Sequence, residues 1–307
     1  MSPLSVDRAP QRDRNVFLDM IPELERQGFL RVPADPVLRR AVDRTFTHAR
    51  EFFARPAEEK FRYSHPEWVE GYRELGPEYS LVPERPDLTE SFAAWNRNRV
   101  RPELALWQRG CPLHGALREV STLLSAVVTD LFAAMRDHFK PDAPELRFFN
   151  ATYMQLNYYE PARHSRDLLQ DPHEDGHLVT LVTSNAPGLE IQVDGEFVPA
   201  NVTPDHFVVM PGSLISLMTG DRVKPGYHQV RNSHRTDPRC SMMFFVNPEI
   251  DQDLKPWIEN DSNRGIDIIE RANAAPKQFG NPSLEDTLSG HADIRTVSPH
   301  MADIARQ

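Results

Sequence analysis

The apolar positions of the chain change their period near residue 150. Between Val16 and Leu30 they fall at Phe17, Leu18, Ile21, Leu24 and Phe29, the spacing of an amphipathic helix that ends near Gly28, and 29–32 (FLRV) then reads as a short strand. A second helix is expected from Pro36 to Phe53, with Val37, Leu38, Ala41, Val42, Phe46, Ala49 and Phe53 on one stripe. Pro56 opens a short helix ending near Tyr63, and residues 64–110, rich in Pro, Arg and aromatics, predict loop with short elements. Leu117, Val120, Leu123, Leu124, Val127, Leu131 and Met135 mark a third long helix from about Cys111 to Phe139. Residues 1–15 are polar and without period, as a loose arm would be.

Beyond residue 150 the runs become short and rich in strand formers. They are 152–160, 178–184, 189–193, 196–202, 206–211, 213–220, 228–232 and 240–248. Turn signals separate them: Ala186–Pro187–Gly188, Asp194–Gly195, Pro211–Gly212, Gly220–Asp221 and Pro225–Gly226. Short strands at this spacing predict an antiparallel sandwich or barrel. The tail carries one amphipathic stretch near 263–273. The expected organisation is a mostly helical region over 1–150, a β core over 151–250 and a helical tail or lid over 251–307, together one structural unit.

Composition narrows the function. Acidic residues outnumber basic ones, with a net charge of −10, so nucleic acid is not the expected partner. No window of membrane-spanning length is apolar, and the N-terminal residues contain no apolar signal core, so neither a membrane partner nor secretion is expected. Two cysteines, Cys111 and Cys240, exclude a disulfide framework and a cysteine-based zinc knuckle, and fit a cytoplasmic location. The 12 histidines raise the question of where they cluster.

Residues 171–181 (DPHEDGHLVTL) stand out. His173 and Asp175 are two apart, so on a strand they would face the same side. His228, which opens the run HQVRN, is the best third partner. Two imidazoles and a carboxylate on one face form the facial triad of non-haem Fe(II) oxygenases, which leaves open positions on the ion. Glu174 and His177 alongside also allow a charged loop or a surface zinc site, and His164, His206 and His234 read as surface or packing residues. Arg239 lies on the last strand. Facing inward it would be a buried cation in need of an anionic partner, which a two-pronged carboxylate grip would supply, with Ser241 adding a hydroxyl at i+2. Facing outward it would be an ordinary loop residue.

These motifs resemble the isopenicillin N synthase-like branch of the 2-oxoglutarate/Fe(II)-dependent oxygenases, over most of the chain. The opening VFLDMIPELERQGFLRV, then FFARPAEEKFRY and PDLTESF, are similar to the family's N-terminal stretches. QLNYYEP resembles the strand before its metal motif, HEDGHLVTL its His-x-Asp-x-Gly-x-Leu-Thr-Leu, GLEIQVDGEFV its Gly-Leu-Gln-Val hairpin, and HQVRN with RCSMMFFVNP its second His and Arg-x-Ser strand. The resemblance implies a double-stranded β-helix (jelly roll) with flanking helices. It implies Fe(II) on His173, Asp175 and His228. It also implies 2-oxoglutarate held by Arg239 and Ser241, with Asn157 and Tyr159 beside it, and O₂ as second co-substrate. Asp175, present where halogenating relatives have a small residue, argues against halogenation. His177 in place of the family's glycine, Gly212–Ser213 in place of Gly-Asp, and Pro225–Gly226–Tyr227 before the second His depart from the pattern at the mouth of the site.

The implied reaction is oxidation of an unactivated C–H of a small molecule, hydroxylation first, with desaturation or cyclisation as variants, in natural-product biosynthesis. The rival readings are a 2-oxoglutarate-independent Fe(II) oxidase, a non-catalytic ligand-binding jelly roll and a zinc hydrolase. Tyr153, Arg163, His164, Arg166, His177 and Phe245 are the candidate substrate residues. The basic loop 163–166 suggests a carboxylate-bearing, amino-acid or peptide-like substrate.

Overall fold

The computed structural model describes residues 14–65, 70–96, 110–161, 166–233 and 235–289. Helix α1 (Arg14–Gln27) leads into strand β1 (Leu30–Pro33), and α2 spans Pro36–Phe53. Asp35 starts α2, its side chain accepting from the Val37 and Leu38 amides at 2.8 and 2.9 Å, with Pro36 in the first turn. Short α3 (Ala57–Phe61) follows, and α4 (Pro112–Phe139) packs against both α1 and α2. Among the described residues no helix is long and apolar enough to cross a membrane.

Two antiparallel sheets face each other. The larger runs β1–β9–β6–β11–β4–β3–β2 and the smaller β5–β10–β7–β8. The remaining strands are β2 (Gly71–Arg73), β3 (Glu90–Trp95), β4 (Tyr153–Tyr159), β5 (Leu168–His173), β6 (Val179–Ser184), β7 (Leu189–Val193), β8 (Glu196–Pro199), β9 (His206–Pro211), β10 (His228–Arg231) and β11 (Arg239–Val246). Three strands of the larger sheet thus come from residues before 150, which the pattern reads as mostly helix and loop. β3 escapes a period-based reading because ESFAAW is buried at nearly every position and does not alternate.

Parity along β4 and β11 sorts the side chains into two layers. Met154, Leu156, Tyr158, Cys240, Met242, Phe244 and Val246 face the helices and join the main core. Tyr159 and Met243 belong to a second cluster between the sheets, with Leu189, Ile191, Met210 and Val230. Polar side chains of the same parity, Gln155, Asn157, Arg239 and Ser241, line a cavity in that inter-sheet layer.

The run 213–220 is the one predicted strand that folds otherwise. Ser213–Met218 is a short helix, α5. Leu214, Ile215 and Met218 are buried in the main core, so its apolar content serves helical packing rather than a ladder. The tail forms α6 (Ile268–Ala274), a 3₁₀ turn (Ala275–Phe279) and α7 (Leu284–Ser289).

Phe92 on β3 is fully buried and meets Phe52 of α2 edge-on, with ring centroids 5.0 Å apart. Phe92→Ala is expected to cost about 3–5 kcal/mol through the cavity it leaves. Denaturant unfolding of the two proteins measures this, and an unchanged midpoint would show that β3 is not integral to the core.

Candidate active site

The β5–β10 ladder places His173 directly opposite His228. The ring centroids lie 4.3 Å apart. Each ring is held by its own backbone: His173 Nδ1 meets the Asp171 carbonyl at 2.8 Å and His228 Nδ1 the Gly226 carbonyl at 2.9 Å. A carbonyl only accepts, so both Nδ1 atoms carry the proton and both Nε2 lone pairs are left for a ligand. Asp175 completes the group, and ligand atoms from the three residues all lie within 4.8 Å of one another.

Asp175 does not arrive by strand alternation. β5 ends at His173, and Asp175 sits in the turn beyond it. The start of α5 holds that turn: Ser213 N–H donates to the Asp175 carbonyl at 2.9 Å and Leu214 N–H to the His177 carbonyl at 3.2 Å. The approach requires glycine at 212, where a Cβ would lie 2.0 Å from the His177 oxygen. The Asp175 carboxylate accepts from Thr180 Oγ1 at 2.6 Å through Oδ2, which leaves Oδ1 facing the imidazoles. Burial works against its charge, but His228, His173, His177 and the Thr180 hydroxyl outweigh it and hold Asp175 below the ordinary carboxylate range. Burial first, then His173, pushes His228 down to about 4. At neutral pH His228 is therefore a neutral imidazole and Asp175 a carboxylate, donors that suit Fe(II).

Opposite the triad the β4–β11 register pairs Arg239 with Tyr159, Ser241 with Asn157 and Phe245 with Tyr153. Arg239 is 3% exposed. Its Nε donates to the Pro187 carbonyl at 3.0 Å, Nη1 donates to Ser241 Oγ, and its Cζ lies 5.0 Å from the Tyr159 ring centroid. No carboxylate partners it among the described residues. Tyr153, His177 and Phe245 pack together, with centroids 4.7–5.9 Å apart. His177 Nδ1 pairs with Asn247 Oδ1 at 2.7 Å.

One cavity, open to solvent on one side, collects these residues, with Arg239, Ser241, the triad, Tyr153, His177, Phe245 and Asn157 in its wall. Arg166 turns away and donates to the Pro86 carbonyl at 2.8 Å, so it does not join the site. Arg163 and His164 lie outside the described residues. The cavity has further walls that residue type alone does not reveal. Glu78, Ser80 and Asp87 come from the loop between β2 and β3, Gln155 and Gln170 from strands, and Phe279 and Asn281 from the tail. Gln155 shares the parity of Asn157 and Tyr159, a signal present in the sequence. Gln170 lies on edge strand β5, where the ladder slips so that two residues of β10 face three of β5, and simple alternation fails there.

Comparison with known proteins agrees with this geometry. The profile of the 2OG-Fe(II) oxygenase superfamily matches residues 151–248, and that of the non-haem dioxygenase in morphine synthesis N-terminal region matches residues 3–106. The chain belongs to the 2-oxoglutarate/Fe(II)-dependent oxygenase superfamily. Among its relatives is 2-oxoglutarate-dependent dioxygenase citB of Monascus ruber, 27% identical, with 85% of this chain and 89% of that protein covered. A 2OG-Fe(II) oxygenase family protein from Caulobacter crescentus shares the fold at a TM-score of 0.70 and 20% identity, over 87% of this chain and 95% of that one. A full-length Neurospora crassa protein, solved in complex with alpha-KG and 5-formyluracil, superposes at a TM-score of 0.65 and 18% identity, over 84% and 89%. The fold is the double-stranded β-helix of these oxygenases. The protein is an oxidoreductase of this superfamily, with Fe(II) as its cofactor and 2-oxoglutarate as co-substrate.

The turn and the ladder each lead to a prediction. Gly212→Ala should displace the 175–177 turn and weaken Mn(II) binding by on the order of tenfold or more, read by calorimetric titration, because a displaced ligand misplaces the whole donor set. Retained affinity would mean the turn adjusts freely. The second concerns acid. His228 has a folded-state pKa well below the ordinary histidine value of about 6.5, so the unfolded chain takes up its proton first. The stability contribution is complete above pH ~6.5 and is lost as pH falls from there toward about 4. Melting temperatures of the metal-free protein across this window should fall less steeply in His228→Gln.

Proposed function

We propose that His173, Asp175 and His228 hold the Fe(II), and that Arg239 and Ser241 grip the distal carboxylate of 2-oxoglutarate with Tyr159 and Asn157 beside them. Arg239 carries this reading. A buried guanidinium without a counter-charge is costly, and the co-substrate's carboxylate supplies the missing partner. Bound Fe(II) supplies O₂ activation coupled to oxidative decarboxylation of 2-oxoglutarate to succinate and CO₂.

The chain's own residues set geometry. The backbone-locked imidazoles fix the ligand directions, and Thr180 fixes which carboxylate oxygen of Asp175 faces inward. Tyr153, His177 and Phe245 wall the space beside Asp175 and exclude water from it. Burial pushes the Tyr153 phenol up, so it stays protonated and offers a donor to a substrate oxygen or nitrogen. This arrangement positions one C–H of the substrate near the metal, and hydroxylation is the outcome we assign.

The substrate we assign is amino-acid or peptide-like, in natural-product biosynthesis. The support is Glu78, which lines the cavity from the loop between β2 and β3. Arg73 Nη1 donates to Glu78 and, at 3.1 Å, to Asn281 Oδ1, while Glu78 lines the cavity. The Glu78 carboxylate in that wall offers a partner to the ammonium of such a molecule. The morphine-synthesis profile and the dioxygenase relative support small-molecule tailoring.

The test is an anaerobic titration of 2-oxoglutarate into the Fe(II) protein by absorbance, followed by succinate release with amino acids and dipeptides in air. His173→Ala and His228→Ala should abolish metal binding and turnover. Arg239→Ala should weaken 2-oxoglutarate by on the order of a hundredfold or more, from the about 3–5 kcal/mol lost when a buried charged pair is broken. Arg239→Lys should rescue poorly, because a point charge makes no two-pronged grip. Turnover without succinate would instead establish an oxidase in which Arg239 holds substrate.

A further inference from the structure

Behind the proposed co-substrate grip a line of side chains joins Asp87, from the PDLTESF stretch, through Gln170, which no motif includes, to Tyr159. Asp87 is 4% exposed and lies in the loop between β2 and β3. Its carboxylate accepts from Ser80 Oγ at 2.8 and 3.0 Å and from Gln170 Nε2 at 3.0 Å. Gln170 Oε1 in turn accepts from the Tyr159 hydroxyl at 2.8 Å. Tyr159 lies on the strand paired with Arg239, its ring beneath the guanidinium.

The order of donors is dictated by chemistry. A carboxylate only accepts, so Asp87 draws the NH₂ end of Gln170. The other end of that amide is then its carbonyl, which takes the single proton of Tyr159. With the proton committed there, the phenol turns lone pairs toward Arg239 and toward Asn157 Nδ2, which lies 3.4 Å away. Without the Gln170 acceptor, the Tyr159 proton is free to point at Arg239, which also only donates. Two donors would then oppose each other in a buried space, where the conflict is not screened.

We propose that Asp87 and Gln170 are positioning residues for 2-oxoglutarate: they hold the Tyr159 proton away from Arg239, and so keep the guanidinium seated for the distal carboxylate. The inference rests on the reading that Arg239 binds 2-oxoglutarate. It adds two residues from outside the β4–β11 pair, one of them on the same edge strand as His173. The co-substrate grip and the metal ligands are thereby fastened to a common element.

The experiment is a 2-oxoglutarate titration of the anaerobic Fe(II) protein with steady-state succinate kinetics, on Gln170→Leu, Asp87→Ala, Asp87→Asn and Arg239→Ala. Gln170→Leu and Asp87→Ala should each weaken 2-oxoglutarate by roughly fivefold to tenfold, the scale of one net hydrogen bond. kcat at saturating 2-oxoglutarate should stay within about twofold, since hydrogen bonds to the grip act on co-substrate binding. Asp87→Asn keeps an acceptor for Gln170 and should remain near the parent. In a Tyr159→Phe background Gln170→Leu should add nothing, because the phenol through which it acts is gone. Equal weakening with and without the Tyr159 hydroxyl would overturn the proposal and leave Gln170 a packing residue. Unchanged affinity in both Gln170→Leu and Asp87→Ala would overturn it as well. Arg239→Ala keeps the two readings apart: if it leaves 2-oxoglutarate binding intact the co-substrate assignment fails, whereas if it weakens binding and the other variants do not, only this proposal fails.

Discussion

His173 and His228 are cross-strand partners at the open end of the β5–β10 ladder, and the site is organised around that pairing. A strand pair sets the separation of opposing side chains to a few ångströms without help from loops. It also brings each ring over a backbone carbonyl of its own segment, Asp171 on one side and Gly226 on the other. Those carbonyls decide the tautomers. The two nitrogens that would bind metal are free because the other two are occupied, and this holds before any ion arrives. Asp175 can then be delivered by a turn, since the ladder has already defined where a third ligand must go. The turn is fastened by amides at the start of α5 and by the bare backbone of Gly212.

The second constraint is Arg239. A guanidinium at 3% exposure, held by a carbonyl, a hydroxyl and a ring face, keeps its hydrogen bonds but not its counter-charge. Structures tolerate such a group where function requires it. Its place at the start of β11 follows from parity: the residues of that strand that face the helices are Cys240, Met242, Phe244 and Val246, so the polar ones fall toward the smaller sheet. The same strand therefore builds core with one face and site with the other. A change of apolar packing behind β11 is transmitted to the grip through one backbone.

Much of this is legible in the residues, and the exceptions have physical causes. The period-two runs of β4, β6, β7, β9, β10 and β11 stand where alternation and turn residues put them, and α2 coincides with its apolar stripe. The register pairs Asn157 with Ser241 and Tyr159 with Arg239, which parity along the two strands places in one layer. β5 is not legible, because Asp171–Pro172 interrupts it and an edge strand needs neither alternation nor every amide. For the same reason His173 and Asp175 are neighbours through a strand end and a turn, not through the shared strand face that their i, i+2 spacing predicts. The 213–220 run passes for a strand because a helix shorter than two turns has too few positions to show its period. Gln155 can be found by parity. Asp87 and Glu78 cannot, since their loop has no period, and only folding brings it over the cavity.

The loop and the tail add walls to this cavity beyond those the two sheets provide. The 3₁₀ turn of the tail sets Phe279 against His173 with centroids 5.8 Å apart, and Ala275 packs on Gly176 in the metal turn, where a Cβ would come within 2.6 Å of it. Gly280 lies against Tyr79, and Asn281 accepts from Arg73. These contacts join the tail to β5 and the turn beyond it, and to β2 and the loop that carries Glu78 and Asp87. On the proposed assignment the two histidine ligands and the co-substrate residues come from the two facing sheets, whose geometry is fixed by ladders, and Asp175 from the turn beyond β5. The substrate side is built from irregular segments that touch one another, which is the part of a jelly roll that can vary without disturbing the ladders. Chemistry and selectivity are thus carried by different kinds of structure. The Asp87–Gln170–Tyr159 line is where the two meet, since it begins in the loop between β2 and β3 and ends beneath Arg239.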